Sequence, residues 1–287
     1  MNTDFAHYYQ RVRSKQKRET LIWSLTLAVL YLGAGKLAEF NLHTVWVSLP
    51  NFFDYLAETL PILHWDRLFA DGHTEGSLAY WGYRLHIQLP LLWETLNLAL
   101  AATLLSVLVA GVLAFLAANN THSPASLRMA IRTLVAFLRT MPELAWAVMF
   151  VMAFGIGAIP GFMALALHTI GSLTKLFYEA LETSSNKPVR GLVACGATPL
   201  QRMRFGLWPQ VKPVFLSYSF MRLEINFRQS TILGLVGAGG IGQELMTNIK
   251  LDRYDQVSMT LLLIIVVVSL LDYISGELRK RVVEGGK

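Results

Sequence analysis

Two groups of residues in this chain have types and spacings that could do chemistry. The first is Gly237-Ala-Gly239-Gly-Ile-Gly242, which satisfies G-x-G-x-x-G. In a dinucleotide fold these glycines bring backbone amides up to a pyrophosphate at a helix N-terminus. The context is wrong for that. The motif stands between two long apolar runs rather than inside a βαβ unit, and Asp252 and Asp255 lie too close to be the acid expected about 20 residues on. The glycines read instead as a bend at the outer surface where backbone packs closely, buried in protein or lining a cavity.

The second group consists of polar side chains inside apolar runs. Arg139 and Glu143 flank Pro142, His168 lies in the next run, and Arg222, Glu224, Asn226, Arg228 and Gln229 follow in a later one. Ionisable groups at membrane depth are costly and point to function by default. At about 100° per residue, Arg222, Asn226 and Gln229 share one helix face while Glu224 and Arg228 share another. Glu224 ahead of Arg228 at i,i+4 is the favourable ion-pair order, so that pair reads as structural. A cation with two amides would offset the cost of moving a dianion through a low-dielectric region. Arg139, Glu143, His168, Arg222, Asn226 and Gln229 are therefore candidates to line a path. The alternative is that they tie helices together or face a wet cavity.

The elements that must position these residues are membrane helices. Of 287 residues, 54% are hydrophobic and 15% charged, whereas a soluble domain carries about 25% charge. Apolar runs at about 20–38, 91–117, 130–156, 160–178, 208–234 and 257–276 make six candidate spans. The fold class expected is all-α and integral to the membrane. Arg11, Arg13, Lys15, Lys17 and Arg18 precede the first run, and Arg279, Lys280 and Arg281 follow the last. By the positive-inside rule both termini are cytoplasmic. The first run exceeds an ordinary signal-peptide core, and no clean small-x-small cleavage site follows it.

The stretch 39–90 falls outside, with Glu39, Asp54, Glu58, Asp66, Asp71 and Glu75 against Arg67 and Arg84. Within it, 49–63 is amphipathic and bounded by Pro50 and Pro61, which predicts a short interfacial helix. Trp65, Tyr80, Trp81 and Tyr83 suit headgroup level. The formal charge of +6 gathers at the termini and in short loops, which argues against nucleic-acid binding. The single cysteine, Cys195, and the absence of Cys/His clusters exclude an internal disulfide and a zinc site. There is no P-loop, no pair of membrane histidines spaced for haem or metal, and no internal repeat of the kind secondary transporters carry. A membrane oxidoreductase and a transporter working without ATP are thereby disfavoured.

The segment 179–210 interrupts the apolar pattern on the cytoplasmic side. Pro188 can open a short helix and Gly196 can end it. Thr198, Pro199 and Gln201 then supply a hydroxyl N-cap, a proline at N1 and a capping-box partner. Two short helices on a tight glycine turn would make a rigid knob for a partner protein to grip.

This segment resembles the cytoplasmic loop of permeases of bacterial binding-protein-dependent importers, with its pattern Glu-Ala-Ala-x3-Gly-x9-Ile-x-Leu-Pro. Gly196, Ala197 and Pro209 match. Arg190, Gly191 and Leu192 replace Glu-Ala-Ala, while Gly206 and Trp208 replace the isoleucine and leucine. Residues 139–151, 164–171 and 217–242 are similar to permeases of phosphonate importers and their phosphite relatives, and the likeness covers about 90–278. It implies the six-helix architecture of type I importers, as in the methionine importers. The N-terminus, first span and interfacial segment are then residues 1–90, the core permease domain 91–278 with its coupling loop at 179–209, and the cytoplasmic tail 279–287. It also implies that Pro188, Arg190, Gly196, Ala197, Thr198, Pro199, Leu200, Arg202, Arg204 and Pro209 engage an ABC ATPase dimer. That partner binds ATP and Mg, and this chain holds no cofactor or metal and catalyses no reaction. The remaining partners implied are a second copy of the chain and a periplasmic or lipid-anchored substrate-binding protein, which would touch 39–90 and 237–256. The cargo would be phosphonate or phosphite, with methionine or another small metabolite as the alternative.

Overall fold

The structure is a computed structural model that describes residues 2–37, 41–61, 63–72, 74, 76–121 and 123–284. Glu39 and Glu75, two of the acids assigned to the outside stretch, lie outside the described residues, as does the end of the tail. The fold is helical, with no strand among the described residues.

By its internal contacts the chain divides into Met1–Glu58 and Thr59–Lys287. The first unit holds α1 (Asn2–Leu37) and nearly all of α2 (Leu42–Thr59). The first apolar run and the basic stretch before it form one continuous helix, about 54 Å long at 1.5 Å per residue. In α2 the expected start at Pro50 is corrected. The helix begins eight residues earlier, where the Asn41 side chain accepts the His43 amide at 2.9 Å. Pro50 sits inside the helix, where it costs one backbone hydrogen bond but does not end it.

The second unit contains α3 (Leu78–Trp81), α4 (Leu85–Ala117), α5 (Ala125–Thr140), α6 (Glu143–Phe154), α7 (Ala158–Thr183), α8 (Lys187–Ala194), α9 (Pro199–Gln201), a π-helical turn (Arg202–Leu207), α10 (Trp208–Gly234), α11 (Gly240–Lys250) and α12 (Tyr254–Glu284). It takes in residues 59–90 together with the core.

Helices α4 and α7 form the axis of this unit. One stripe of α4 runs Thr95, Ala99, Ala102, Ser106, Ala110, Ala114, Ala117, all buried and spaced by three or four. Small side chains at that spacing let two backbones come close, which drives association where lipid removes the hydrophobic incentive. Ser106 Oγ donates to Ala166 O of α7 at 3.1 Å across the contact. Gly171 of α7 lies so near α5 that a Cβ there would meet Arg139 N at 3.0 Å and Leu138 Cβ at 3.0 Å. Toward the segment 179–210 the packing turns aromatic, with Phe177 and Phe215 stacked at 3.9 Å between centroids.

The apolar run at 130–156 is not one straight span. It breaks between α5 and α6 with a bend of 85°. Met141, which precedes Pro142, is extended at φ −70° and ψ 127°, because the proline ring excludes the helical conformation from its predecessor. Among the described residues, Leu85–Ala117 and Tyr254–Arg281 are long and apolar enough to cross a membrane, and the bent pair makes a third if counted as one span. Helices α7 and α10, of 26 and 27 residues, have the length but carry many polar side chains.

Candidate functional site

The knob folds from local instructions. Helix α8 closes on Gly196 at φ +75°, with the Ala197 amide donating to Leu192 O and the Gly196 amide to Val193 O, both at 3.0 Å. This is a Schellman turn, and it needs a residue at ease with positive φ. Thr198 then caps α9. Its amide donates to Gln201 Oε1 at 2.8 Å, and its hydroxyl accepts the Gln201 amide at 3.4 Å, completing the box.

Two features here have no clear local signal. The chain leaves α9 through the π turn Arg202–Leu207. There Gly206 packs on α8 so closely that a Cβ would meet Val189 Cγ2 at 3.0 Å and Leu192 Cδ1 at 3.2 Å. Gln210 clamps the base of the knob. It donates to Ser185 O at 3.1 Å and Gly206 O at 2.6 Å, and accepts the Ser185 amide at 3.0 Å. Arg202 Nε donates to Ala197 O at 2.8 Å. The tip is left apolar and basic: Val193, Leu200 and Phe205 are exposed, as are Pro188, Arg190, Arg204 and Pro209.

Behind the knob a clasp joins three elements. The Glu182 carboxylate of α7 pairs with Arg132 of α5 and accepts the Asn119 amide, just past the end of α4, at 2.7 Å. Arg132 Nε donates to Ala117 O at 2.9 Å, and its guanidinium lies 4.6 Å from the centre of the Tyr178 ring. Arg132 stands out in the sequence only as a basic loop residue.

The polar residues at mid-helix fall into three environments. Asn226 is fully buried. Its Nδ2 donates to Thr103 Oγ1 at 2.8 Å and its Oδ1 accepts from Thr169 Oγ1 at 2.9 Å, so one amide knots α4, α7 and α10. Its helical-wheel companions Arg222 and Gln229 are half-buried. Glu224 and Arg228 form the i,i+4 ion pair, in which the Arg228 side chain is 51% exposed and that of Glu224 12%.

The third environment is a charged cluster on α6, α7 and α10. Glu143, the first residue of α6 after the break, is buried. Its Oε1 stands in ion-pair contact with His168 Nδ1 of α7, without the alignment of a full hydrogen bond. Its Oε2 is buried with no hydrogen-bond partner. Glu143 also acts electrostatically on Arg222 of α10. The Nε of Arg222 is buried and unbonded, and Arg222 forms no ion pair among the described residues. Arg139, at the end of α5, is exposed.

The Gly237–Gly242 motif is a turn between α10 and α11. Gly237, Gly239 and Gly240 take φ of +91°, +81° and +71°. A Cβ on Gly242 would fall 1.9 Å from Thr231 O, so only glycine fits there. Thr95 Oγ1 of α4 accepts the Ile241 amide at 2.8 Å, and the Gly157 amide donates to Gly237 O at 2.9 Å. No cradle for a pyrophosphate remains. Near this turn Arg84 pairs with Glu244 at 2.9 Å.

Residues 110–283 match the family described as binding-protein-dependent transport system inner membrane component. The chain is 44% identical over 199 residues to the phosphite transport system permease protein PtxC of Stutzerimonas stutzeri, covering 69% of this chain and 72% of that one. It is 36% identical over 187 residues to the phosphate-import permease protein PhnE of Mycolicibacterium smegmatis, covering 65% of this chain and 35% of that one. Its fold is similar to a chain of the MetNI methionine ABC transporter in an inward-facing conformation. The TM-score is 0.60 at 22% identity, over 70% of this chain and 98% of that one. The chain belongs to the family of binding-protein-dependent transport system inner membrane components. It is a transport subunit of the inner membrane rather than an enzyme, and membership implies an ATPase and a substrate-binding protein as partners.

Proposed function

We propose that this inner-membrane component is the permease of an ATP-driven importer for a small phosphorus oxyanion, phosphite or a phosphonate. The substrate class rests on the relatives, one named for phosphite and one for phosphate import. The observation that carries the path reading is Arg222. It is a cation with no ion pair among the described residues, and it sits fourteen residues along α10, about 21 Å from the start of that helix. An unpaired arginine at that depth is costly unless water or an anion visits it.

The six spans in this reading are α1, α4, the bent α5–α6 pair, α7, α10 and α12, with both termini cytoplasmic. Two copies enclose the path, and a binding protein delivers cargo to the outer side. Two ATPase subunits grip the knobs at 188–209, where exposed Val193, Leu200 and Phe205 offer apolar anchors. Closure of the ATPases drives the helix bundles from inward-open to outward-open. Asn226, buried and fully engaged, belongs to the framework rather than to the path. Arg222, His168 and Glu143 form its polar wall.

The test is uptake of labelled phosphite, a phosphonate, inorganic phosphate and methionine into proteoliposomes holding this chain with its ATPase and binding protein. The expected result is ATP-dependent uptake of phosphite or phosphonate and none of methionine. Methionine uptake without any phosphorus oxyanion would overturn the substrate assignment and leave the importer standing.

A further inference from the structure

The charged cluster holds two complementary groups on packed helices that are not joined. Glu143 Oε2 is a buried carboxylate oxygen without a hydrogen-bond partner, and Arg222 Nε is a buried guanidinium nitrogen without one. The helix of Glu143 packs on that of Arg222, and the carboxylate acts on the guanidinium electrostatically, yet its contact is spent on His168, through the other oxygen. Leaving a buried polar group unsatisfied is expensive, and more so when it is charged. Two such orphans of opposite sign on helices that pack together are the expected remainder of a bond made in another state.

The position of Glu143 gives that bond a way to form. It is the first residue of α6, directly after Pro142 and the 85° break from α5. A small change in that bend moves the carboxylate relative to α10, while His168 and Arg222 stay on long helices. A transport site also needs such a device. A cation that draws an oxyanion into a low-dielectric region holds it there unless something competes.

We propose that Glu143 is a resident counter-anion for Arg222, displaced by the phosphorus oxyanion in transit and returning to expel it. The inference rests on the reading that Arg222 lies on the path. Glu143 is then a specificity-setting residue. It keeps Arg222 from retaining chloride or any weakly bound anion, and it sets how fast cargo leaves.

The experiment is equilibrium binding of labelled phosphite to the permease–ATPase complex in nanodiscs without binding protein. Wild type, Glu143→Gln, Arg222→Gln and the double variant are compared, with inorganic phosphate and sulfate titrated in parallel. Glu143→Gln keeps the shape and a polar partner for His168 while removing the charge. It is expected to tighten phosphite binding about tenfold, and, once the complex is moved into proteoliposomes, to slow ATP-driven release into the lumen; the double variant is expected to lose the gain. Equal affinity in wild type and Glu143→Gln would overturn the proposal, as would a double variant that binds as tightly as Glu143→Gln.

If wild type transports no phosphorus oxyanion but Glu143→Gln still tightens phosphate or sulfate through Arg222, the substrate assignment fails and the counter-anion role stands. A second measurement needs no altered Glu143. Infrared difference spectra of the wild-type complex at saturating phosphite should show a carboxylate band shift that Arg222→Gln removes. No carboxylate change in wild type would overturn the proposal.

Discussion

The knob at 188–209 and the charged cluster on α6, α7 and α10 are built in opposite ways. Every bond that shapes the knob's turn joins residues three to five apart, from Leu192–Ala197 to Thr198–Gln201. The cluster joins Glu143, His168 and Arg222 from three helices, and beside it Asn226 joins Thr103 and Thr169 across 123 and 57 residues. The knob is complete and satisfied in a single chain, whereas the cluster keeps orphaned polar atoms. A part that transmits force must hold its shape. On the proposed function, a part that passes cargo must have unfilled valences to offer.

Breaking the knob has the largest expected effect. Gly196→Pro demands φ near −65° where the turn needs +75°. No neighbouring atom crowds the position, so the damage is purely to the backbone. Uptake in proteoliposomes should fall to background while the ATPase still hydrolyses ATP in detergent. Uptake that survived would mean that the knob is not the coupling element.

Arg222→Gln comes next. It should lower the uptake rate about tenfold or more, the scale of one lost charge-assisted contact, without shifting thermal unfolding downward.

Asn226→Leu probes framework rather than path. Its cost should be about 1–2 kcal/mol, since interhelical hydrogen bonds in membranes are individually modest. It should appear as a lower unfolding midpoint in detergent with cargo affinity unchanged. A changed affinity at unchanged midpoint would return Asn226 to the path.

Thr198→Ala should be the mildest, removing a cap worth about 1 kcal/mol. Hydrogen exchange at the α9 amides should rise, with uptake reduced less than by Gly196→Pro.

The same contrast explains what was legible in the sequence. The glycine turn and the capping box at 196–201 could be read directly, because each residue's partner is a few positions away. So could the Glu224–Arg228 pair. The helical wheel put Asn226 beside Arg222 and Gln229 on one face, but it cannot tell an inward face from one that meets a path. Only the buried Thr103 and Thr169 settle where the amide points.

The break at Met141–Pro142 had its signal in Pro142, outweighed by apolar residues on both sides. Pro50 is no boundary, because the helix starts just after Asn41, whose side chain accepts the His43 amide. Arg132 and Glu182 lie fifty residues apart, and nothing local announces that they clasp. Helices α7 and α10 have the length of a span but carry many polar side chains, so apolar composition does not mark them.

The most direct test is the initial rate of phosphite uptake at saturating loaded binding protein, wild type against Arg222→Gln, with ATP hydrolysis recorded in the same vesicles. Uptake by Arg222→Gln should be slower by about tenfold or more, with hydrolysis still stimulated by the loaded binding protein. Equal uptake rates in the two proteins would contradict it, and would place the anion's route away from α10.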